Sequence, residues 1–272
     1  MDLRSLFSSA NFTEHNGVYS FSPAPPDIQV SEPSALADRS KWTYWRKRNY
    51  EFLRRETAVL GDGAIVLNLG AGVASGFQDF LDRFSAVGVD IYPYVGVRVL
   101  CDFRAALPFR SSSADAVIMA NLLEHIADPA ALLAECYRVL KPGGLVIGTV
   151  PFLMAIHQRP YDYYRYTGAA LAHLLALQGF IRSRIEPVLS FSELLHLLNI
   201  RFFAGLVAGA GPPSRPPAAW WARLLARAVW KGIRAGHRLL AWRALRVEWP
   251  DDPDVPLGYH FLAIKPGPAA GR

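Results

Sequence analysis

The feature that most constrains the fold of this chain is a pair of short apolar runs, each ending in residues suited to a ligand. Residues 65–69 are followed by Gly70 and Gly72, and residues 87–89 are followed by Asp90. This order is typical of a βαβ unit that binds a nucleoside: an apolar run, a glycine turn, a helical stretch, and a second apolar run that ends in an acid. Glycine lets the backbone turn tightly and approach a ligand. Asp90 is placed to accept hydrogen bonds from ribose hydroxyls.

The spacing after the glycines favours a cofactor without phosphates. The dinucleotide fingerprint needs a third glycine at the start of the helix, where free N–H groups bind the pyrophosphate. Here Ser75 holds that position, Gly76 comes one residue later, and no Lys-Ser or Lys-Thr pair follows. A tight strand-to-helix turn without a ligand is the alternative explanation of the glycine pair.

Further motifs follow in a fixed order within residues 60–190. They are Leu107-Pro108-Phe109, Leu123-Glu124-His125 and the run Arg138 to Gly144. Together with the glycine pair, this order resembles the class I S-adenosylmethionine-dependent methyltransferases that carry LPF, LEH and RVLKPGG motifs. The resemblance implies an α/β fold, with a Rossmann-like, mostly parallel sheet of seven strands and helices on both faces. It also implies an antiparallel last strand, a helical insertion before that strand, and S-adenosylmethionine as the cofactor.

The resemblance also assigns a cofactor site. The residues that match the family's cofactor-binding positions are Asn68, Gly70, Gly72, Asp90, Ile91, Asp102, Phe103, Asn121 and Leu122. In the family, the first three lie beside the methionine part, the next pair binds the ribose, the third pair lies beside the adenine, and the last pair closes over the cofactor. Asn68 departs from the family, in which Asp or Glu is common, so one charge near the cofactor ammonium is missing. Asp90 has a local alternative, because Asp often caps the turn that follows it.

The segment after the predicted strand at 145–150 is the candidate acceptor site. Residues 157–167 leave the carboxyl end of that strand, where open α/β sheets bind ligands, and part of the family carries a similar stretch. Methyl transfer needs alignment and, for a hydroxyl acceptor, a base. The candidate catalytic residues are His157 as the base, Asp162 as its orienter or substitute, and His125 as the next choice. The candidates for substrate contact are Tyr163, Tyr164 and Arg165.

These acceptor-side residues also have structural interpretations. Asp162 and Arg165 would then pair to hold the loop, Thr167 would cap the next helix, and His125 would serve packing. We expect no metal site. The two cysteines, Cys101 and Cys136, cannot form a disulfide framework or a zinc site, which favours a reducing compartment.

The chain divides into a catalytic domain with additions. The predicted parts are an N-terminal extension (1–40), the methyltransferase core (41–190), a helical insertion (191–250), and the final strand with a tail (251–272). The extension holds a hairpin-turn signal at Asn16-Gly17. We find no signal peptide and no apolar run long enough to span a bilayer, so the predicted location is the cytoplasm.

The insertion has an unusual charge pattern. Residues 193–207 are apolar almost throughout, and residues 212–247 hold eight Arg or Lys and no Asp or Glu, although the whole chain carries only +6. A helix there would place five cations in one stripe beside an apolar face: Arg223, Arg227, Lys231, Arg234 and Arg238. This pattern is typical of a helix on an anionic membrane surface, here the inner face of the cell membrane.

Nucleic acid is the less favoured partner, because the charge is confined to one amphipathic segment. A helical lid with a solvated basic face and a homodimer contact through 193–207 are the remaining alternatives.

The sequence therefore predicts an enzyme that transfers a methyl group to a small or lipid-linked acceptor. The polar loop favours O-methylation of a glycan or glycolipid precursor. C- or O-methylation of a quinone-type prenylated ring is the alternative reaction. A catalytically silent methyltransferase-like partner protein is an alternative of another class, against which the intact Gly70, Gly72, Asp90 and Asp102 argue.

Overall fold

A computed structural model describes residues 1–21, 39, 42–72, 77–189, 228–229, 231–232, 235 and 254–267. The chain divides into two compact units. The first is Met1–Val188 with Leu257–Arg272, and the second is Leu189–Pro256. Within the second unit, the five described residues between 228 and 235 are helical. The apolar stretch at 193–207 and all of the basic stripe except Lys231 lie outside the described residues.

The first unit is built from strands and helices in alternation. Its strands are β1 (Thr13–His15), β2 (Val18–Ser20), β3 (Ile65–Leu69), β4 (Ser85–Asp90), β5 (Val97–Leu100), β6 (Ala114–Ala120), β7 (Leu140–Pro151), β8 (Ile181–Val188) and β9 (Gly258–Ile264). Its α-helices are α1 (Tyr44–Thr57), α2 (Gln78–Leu81), α3 (Pro129–Val139) and α4 (Gly168–Leu177). Short 3-10 helices occupy Leu3–Leu6 and Leu123–His125. Among the described helices, none is long and apolar enough to cross a bilayer.

The strands form one sheet in the order β1-β2-β5-β4-β3-β6-β7-β9-β8. The neighbours from β2 to β7 are parallel, whereas β9 runs antiparallel to both β7 and β8. The predicted α/β class and the antiparallel last strand are therefore confirmed. From β3 the chain winds first toward β5 and then returns to β6 on the other side. This reversal opens a crevice at the carboxyl ends of β3 and β6, which is the usual ligand position in such sheets.

The strand count differs from the seven expected, because an N-terminal hairpin extends the sheet to nine strands. The Asn16-Gly17 pair makes the predicted turn, with φ values of 50° and 75°, and β2 then pairs with β5. Aromatic packing holds the hairpin, since the Phe7 ring lies 5.1 Å from Tyr19 and 6.0 Å from Phe109. The hairpin therefore covers a sheet edge that would otherwise carry unpaired backbone groups.

Both faces of the central strands are buried, as parallel strands between helices require. Alternate residues point to opposite faces. Leu67 of β3 packs in the core cluster that contains α3 and α4 side chains, whereas its neighbour Val66 packs in the cluster that contains Phe52 of α1 and Phe80 of α2. Thr167 caps α4 as expected, by accepting a hydrogen bond from Ala170 N at 3.2 Å.

Candidate functional site

The glycine turn after β3 has the backbone geometry that the sequence predicts. Gly70 and Gly72 have φ values of +66° and +55°, which L side chains rarely adopt. A Cβ on Gly70 would lie 3.0 Å from Cδ1 of Leu122. The turn after β3 and the segment after β6 therefore approach each other closely. Asn68 is buried in β3, with Gly88 and Ile118 as its register partners.

Asp90 ends β4 beside this turn and is only 6% exposed. Its carboxylate accepts hydrogen bonds from the backbone N–H groups of Gly72 (2.8 Å), Ile91 (2.7 Å) and Tyr92 (3.0 Å). Burial raises the pKa of Asp90 above its ordinary value, although these three bonds oppose the shift. The turn cap weighed from the sequence is thus present. A carboxylate has about four lone-pair sites, so three N–H donors leave capacity for a ligand hydroxyl.

Asp102 and Phe103 follow β5. Phe103 is buried, but the Asp102 carboxylate faces the guanidinium of Arg104, with an Oδ2 to Nη2 distance of 2.6 Å. Hydrogen bonds from Arg104 lower the pKa of Asp102. Sequence reasoning did not foresee this pairing, which occupies both carboxylate oxygens.

Asn121 links three elements at the end of β6. Its φ is +55°, and its Oδ1 accepts hydrogen bonds from Trp45 Nε1 and from Thr149 Oγ1, both at 3.2 Å. Trp45 belongs to α1. This contact between residues far apart in the sequence fixes the backbone just before Leu122.

The loop after β7 is held by an internal ion pair. The Asp162 side chain is 1% exposed, and its oxygens accept from Arg165 Nη1 at 2.6 Å and Nη2 at 2.8 Å. Oδ2 also accepts from His157 N at 2.8 Å. Burial alone would raise the pKa of Asp162, but the bonds from Arg165 and His157 outweigh it and lower the pKa to about 2. The structural interpretation of the pair is therefore observed, while Tyr163 and Tyr164 remain exposed at 47% and 39%.

Next to this loop lies a group that we call the Glu-His-His cluster: Glu124, His125 and His157. The Oε1 atom of Glu124 is 3.7 Å from His125 Nε2 and 3.9 Å from His157 Nε2. Each imidazole is held through its other nitrogen, because Nδ1 of His125 lies 2.8 Å from the Tyr161 carbonyl oxygen and Nδ1 of His157 lies 3.1 Å from that of Ala155. The structure thus brings two of the predicted catalytic residues together, with ring centroids 4.8 Å apart.

Glu124 is the member of the cluster to which sequence analysis gave no role. Its side chain is fully buried, and within the described part of the chain neither carboxylate oxygen has a hydrogen-bond partner. Nε2 of His125 is likewise buried and without a partner there. Burial raises the pKa of Glu124 to about 8 and lowers that of His125. An acid directly before a histidine in the LEH motif was the one available signal.

The cofactor-side and acceptor-side residues lie along one edge of the sheet. The glycine turn and Asp90 follow β3 and β4, whereas the Glu-His-His cluster follows β6 and β7, and the carboxyl ends of parallel strands share an edge. Leu122 connects the two groups, since it contacts Gly70 and its carbonyl oxygen accepts from His125 N at 2.9 Å. Such an edge suits a nucleoside at one part and an acceptor beside the half-exposed His157 at the other.

Comparisons with known proteins point to one enzyme family. Residues 67–148 match a family described as a methyltransferase domain. A probable S-adenosylmethionine-dependent methyltransferase of Mycolicibacterium smegmatis is 28% identical over 174 residues, which are 57% of this chain and 66% of that protein. The chain thus covers just under two thirds of that relative's length.

Two further similarities are more limited. The ubiquinone/menaquinone biosynthesis C-methyltransferase UbiE of Desulfotalea psychrophila is 34% identical over 97 residues, which are 35% of this chain and 36% of that protein. Among solved structures, the [4+2]-cyclase SpnF aligns with a TM-score of 0.50 and 19% identity and covers 81% of each chain. That likeness concerns the fold alone.

Proposed function

This chain belongs to the class I S-adenosylmethionine-dependent methyltransferases, with S-adenosylmethionine as its cofactor, and from that premise we propose that it methylates an oxygen atom of an acceptor held beside His157. The observation that supports this proposal is the Glu-His-His cluster, which follows β6, one of the two strands at the crevice, and its neighbour β7. The best candidate acceptor is a small or lipid-linked molecule with hydroxyl groups, such as a glycan or glycolipid precursor.

The proposed cofactor contacts are those inferred from the family. Asp90 would bind the ribose through its remaining lone-pair capacity, and the turn at Gly70 and Gly72 would lie against the methionine part. Asn121 and Leu122 would close over the cofactor, and Asp102 and Phe103 would lie beside the adenine. The Asp102 carboxylate already pairs with Arg104, so a contact with the cofactor requires that the carboxylate binds both groups.

The proposed chemistry is a direct displacement. S-adenosylmethionine held beside the Gly70–Gly72 turn and Asp90 would supply the methyl group. Its bond from the methyl carbon to sulfur would break as the acceptor oxygen bonds to that carbon. His157 accepts the hydroxyl proton at Nε2, since its Nδ1 faces a carbonyl oxygen that can only accept. Asp162 holds the backbone N–H of His157 and lies 3.4 Å from Nδ1, which orients the ring. The exposed Tyr163 and Tyr164 would line the acceptor's approach, with Arg165 beside them.

A quinone-type ring is the second candidate acceptor. The partial similarity to UbiE favours it, but that alignment covers only about a third of either protein. The third possibility is a methyltransferase-like partner protein without catalytic activity. The retained glycine turn and Asp90 argue against it. Transfer from methyl-labelled S-adenosylmethionine into lipid-linked glycans, compared with prenylated quinones, distinguishes the three.

We also propose that residues 191–250 attach the protein to the inner face of the cell membrane. This proposal rests on the sequence, because nearly all of the segment lies outside the described residues. A lid over the acceptor and a homodimer contact are the competing assignments.

The cofactor assignment is tested by replacing Asp90→Asn. Asparagine keeps the size of the side chain but removes the charge and part of its accepting capacity, so the affinity for S-adenosylmethionine should fall about ten- to a hundredfold, measured by calorimetry. Asp62→Asn is the matched control, because that carboxylate is 83% exposed and lies outside the crevice. Unchanged affinity in the Asp90 variant, or tighter binding of NAD than of S-adenosylmethionine, contradicts the assignment.

A further inference from the structure

The Glu-His-His cluster combines the ligand types of a catalytic metal site. Two imidazole nitrogens and one carboxylate oxygen lie within 4.8 Å of one another. Two histidines and one carboxylate, with a position left open, are a ligand set for catalytic Zn²⁺ and for non-haem Fe²⁺. The ligands come from two segments, the 3-10 helix after β6 and the loop after β7, so the fold assembles the set.

The imidazoles are oriented as metal ligands. In both histidines Nδ1 faces a backbone carbonyl oxygen, that of Tyr161 for His125 and that of Ala155 for His157. A carbonyl oxygen only accepts, so Nδ1 carries the proton and Nε2 keeps its lone pair. Hydrogen bonding of the second ring nitrogen to a carbonyl is the usual outer support of a metal-bound histidine.

The buried atoms of the cluster lack any other partner among the described residues. Both oxygens of Glu124 and Nε2 of His125 are buried without a hydrogen bond. The separations of 3.7 and 3.9 Å between Glu124 and the two imidazoles exceed hydrogen-bond length, so a shared proton does not satisfy these atoms. Native proteins rarely leave several such atoms unpaired in one place. A single cation between them would satisfy all three.

From these observations, and against the expectation from the sequence that there is no metal site, we propose that Glu124, His125 and His157 bind one divalent transition-metal ion of the Zn²⁺ type. Bonds of about 2.0–2.1 Å in a tetrahedron separate the ligand atoms by roughly 3.3 Å, so the cluster needs to contract by only about half an ångström to one and a half. The nearby Arg165 does not oppose the ion with an uncompensated charge, because Asp162 pairs with it at 2.6 Å.

The inference rests on the proposed function and changes one part of it. With the ion bound, Nε2 of His157 is a ligand and no longer free to accept a proton. The side chain of His157 is 38% exposed, so the open position of the ion would face the accessible side of the cluster. An acceptor hydroxyl bound there would have a lowered pKa, as metal-bound water has, and would release its proton to solvent on that accessible side.

The experiment uses the full chain without a histidine tag. The protein is stripped with a chelator, dialysed against Zn²⁺ or Co²⁺, and analysed for metal content and for the visible absorption of bound Co²⁺. We expect one ion per chain in the unaltered protein. Glu124→Gln and His157→Ala should each weaken binding at least tenfold, and the Co²⁺ spectrum should change in both. His173→Ala is the matched control, because that histidine is exposed on α4 and lies outside the cluster.

Two outcomes overturn the proposal: less than a tenth of an ion bound per chain, or equal metal content in His157→Ala and the unaltered protein. Folding of each variant is checked by its melting curve, and His157→Ala alters a partly exposed side chain, so it remains informative if Glu124→Gln fails to fold. Affinity for S-adenosylmethionine is measured on the same samples. Retained cofactor affinity without metal binding refutes the ion and leaves the proposed methyl transfer in place, whereas metal binding without cofactor binding does the reverse.

Discussion

His260 is a histidine buried between the sheet and α1. It lies in β9, its ring stacks on Phe52 of α1 with centroids 4.3 Å apart, and it is 4% exposed. In the Asn49 orientation that gives both amide atoms hydrogen-bond partners, the amide nitrogen of Asn49 donates to His260 Nε2 at 2.9 Å. Burial lowers the pKa of His260 to about 3, with the charges of Arg48 and Arg55 as smaller contributions. The side chain is therefore neutral in the folded protein.

We predict that acidification destabilises the fold through this residue. In the unfolded chain a histidine titrates near pH 6.5, so below that pH the unfolded state binds a proton that the folded state excludes. The stability contribution is complete above about pH 6.5 and is lost as the pH falls toward the folded pKa, at about 1.4 kcal/mol per pH unit. The measurement is the free energy of unfolding in denaturant between pH 7 and pH 4.5.

The comparison that isolates His260 is with His260→Gln, which cannot titrate. The unaltered protein should lose about 2–3 kcal/mol more than this variant between pH 6.5 and 4.5. His173→Gln, at an exposed position of α4, should keep the full pH dependence. Parallel pH curves for the unaltered protein and His260→Gln would show that the buried histidine does not cause the loss.

At the scale of the elements, the contact between β7 and β9 is tight enough to require glycine. Gly148 lies opposite Phe261 in the register, and a Cβ at this position would collide with the Phe261 ring and lie 2.7 Å from Met119 O. Phe261 is fully buried, and Met119 O belongs to the neighbouring strand, so neither moves easily. We predict that Gly148→Ala lowers the free energy of unfolding by about 2–3 kcal/mol through overpacking.

Gly61→Ala is the matched control for this substitution. A Cβ there meets nothing within 4 Å, so its effect should stay within about 0.5 kcal/mol. Both variants are compared by denaturant unfolding. Equal stability of the two variants would contradict the prediction. It would mean that the β7–β9 interface adjusts to the extra methyl group and does not require glycine at position 148.

Local patterns predicted the elements well, because strand and helix periodicity is written in consecutive residues. The apolar runs at 65–69 and 87–89 lie in strands β3 and β4. Strand β7 begins earlier than expected, at Leu140. The pairing of β2 with β5 was not foreseen, because a three-residue strand has no periodicity to read and its place depends on aromatic packing across the sheet edge.

The candidate site was predictable only in part, because local patterns do not encode contacts between residues that are far apart in the sequence. Gly70, Gly72 and Asp90 stand beside the strands that position them, so their place followed from the motif. The surroundings of Glu124 depend on a loop more than 30 residues later in the sequence, because that loop places His157 beside it. No local pattern encodes that meeting. Asp102 and Arg104 are two residues apart, but their sequence alone does not distinguish this pairing from other neighbouring opposite charges.

For the whole molecule, the distribution of charge gives a separate prediction. Residues 212–247 carry eight cations in a chain whose net charge is +6, so the remainder is slightly acidic. If this segment attaches to a membrane, binding to vesicles should increase with anionic lipid and decrease with salt. Each exposed charge contributes around 1 kcal/mol near the surface and is screened within about a nanometre.

The variant that tests membrane attachment replaces the five residues of the stripe by Gln: Arg223, Arg227, Lys231, Arg234 and Arg238. Vesicle co-sedimentation should largely disappear, while affinity for S-adenosylmethionine stays unchanged. A protein that ignores anionic vesicles at low salt but shifts a generic RNA or DNA probe would reverse the choice of partner. Binding to neither would leave the lid or the dimer contact.

The way the chain leaves and re-enters the sheet bears on what can stand between β8 and β9. Val188, the last residue of β8, pairs with Gly258 of β9, and Leu257 N donates to Val188 O at 2.9 Å. The chain thus leaves the sheet and re-enters it at neighbouring positions, and the entropic cost of a longer excursion between them rises only slowly with its length. The register of β8 and β9 should therefore survive replacement of residues 189–256 by a short turn or by an unrelated segment.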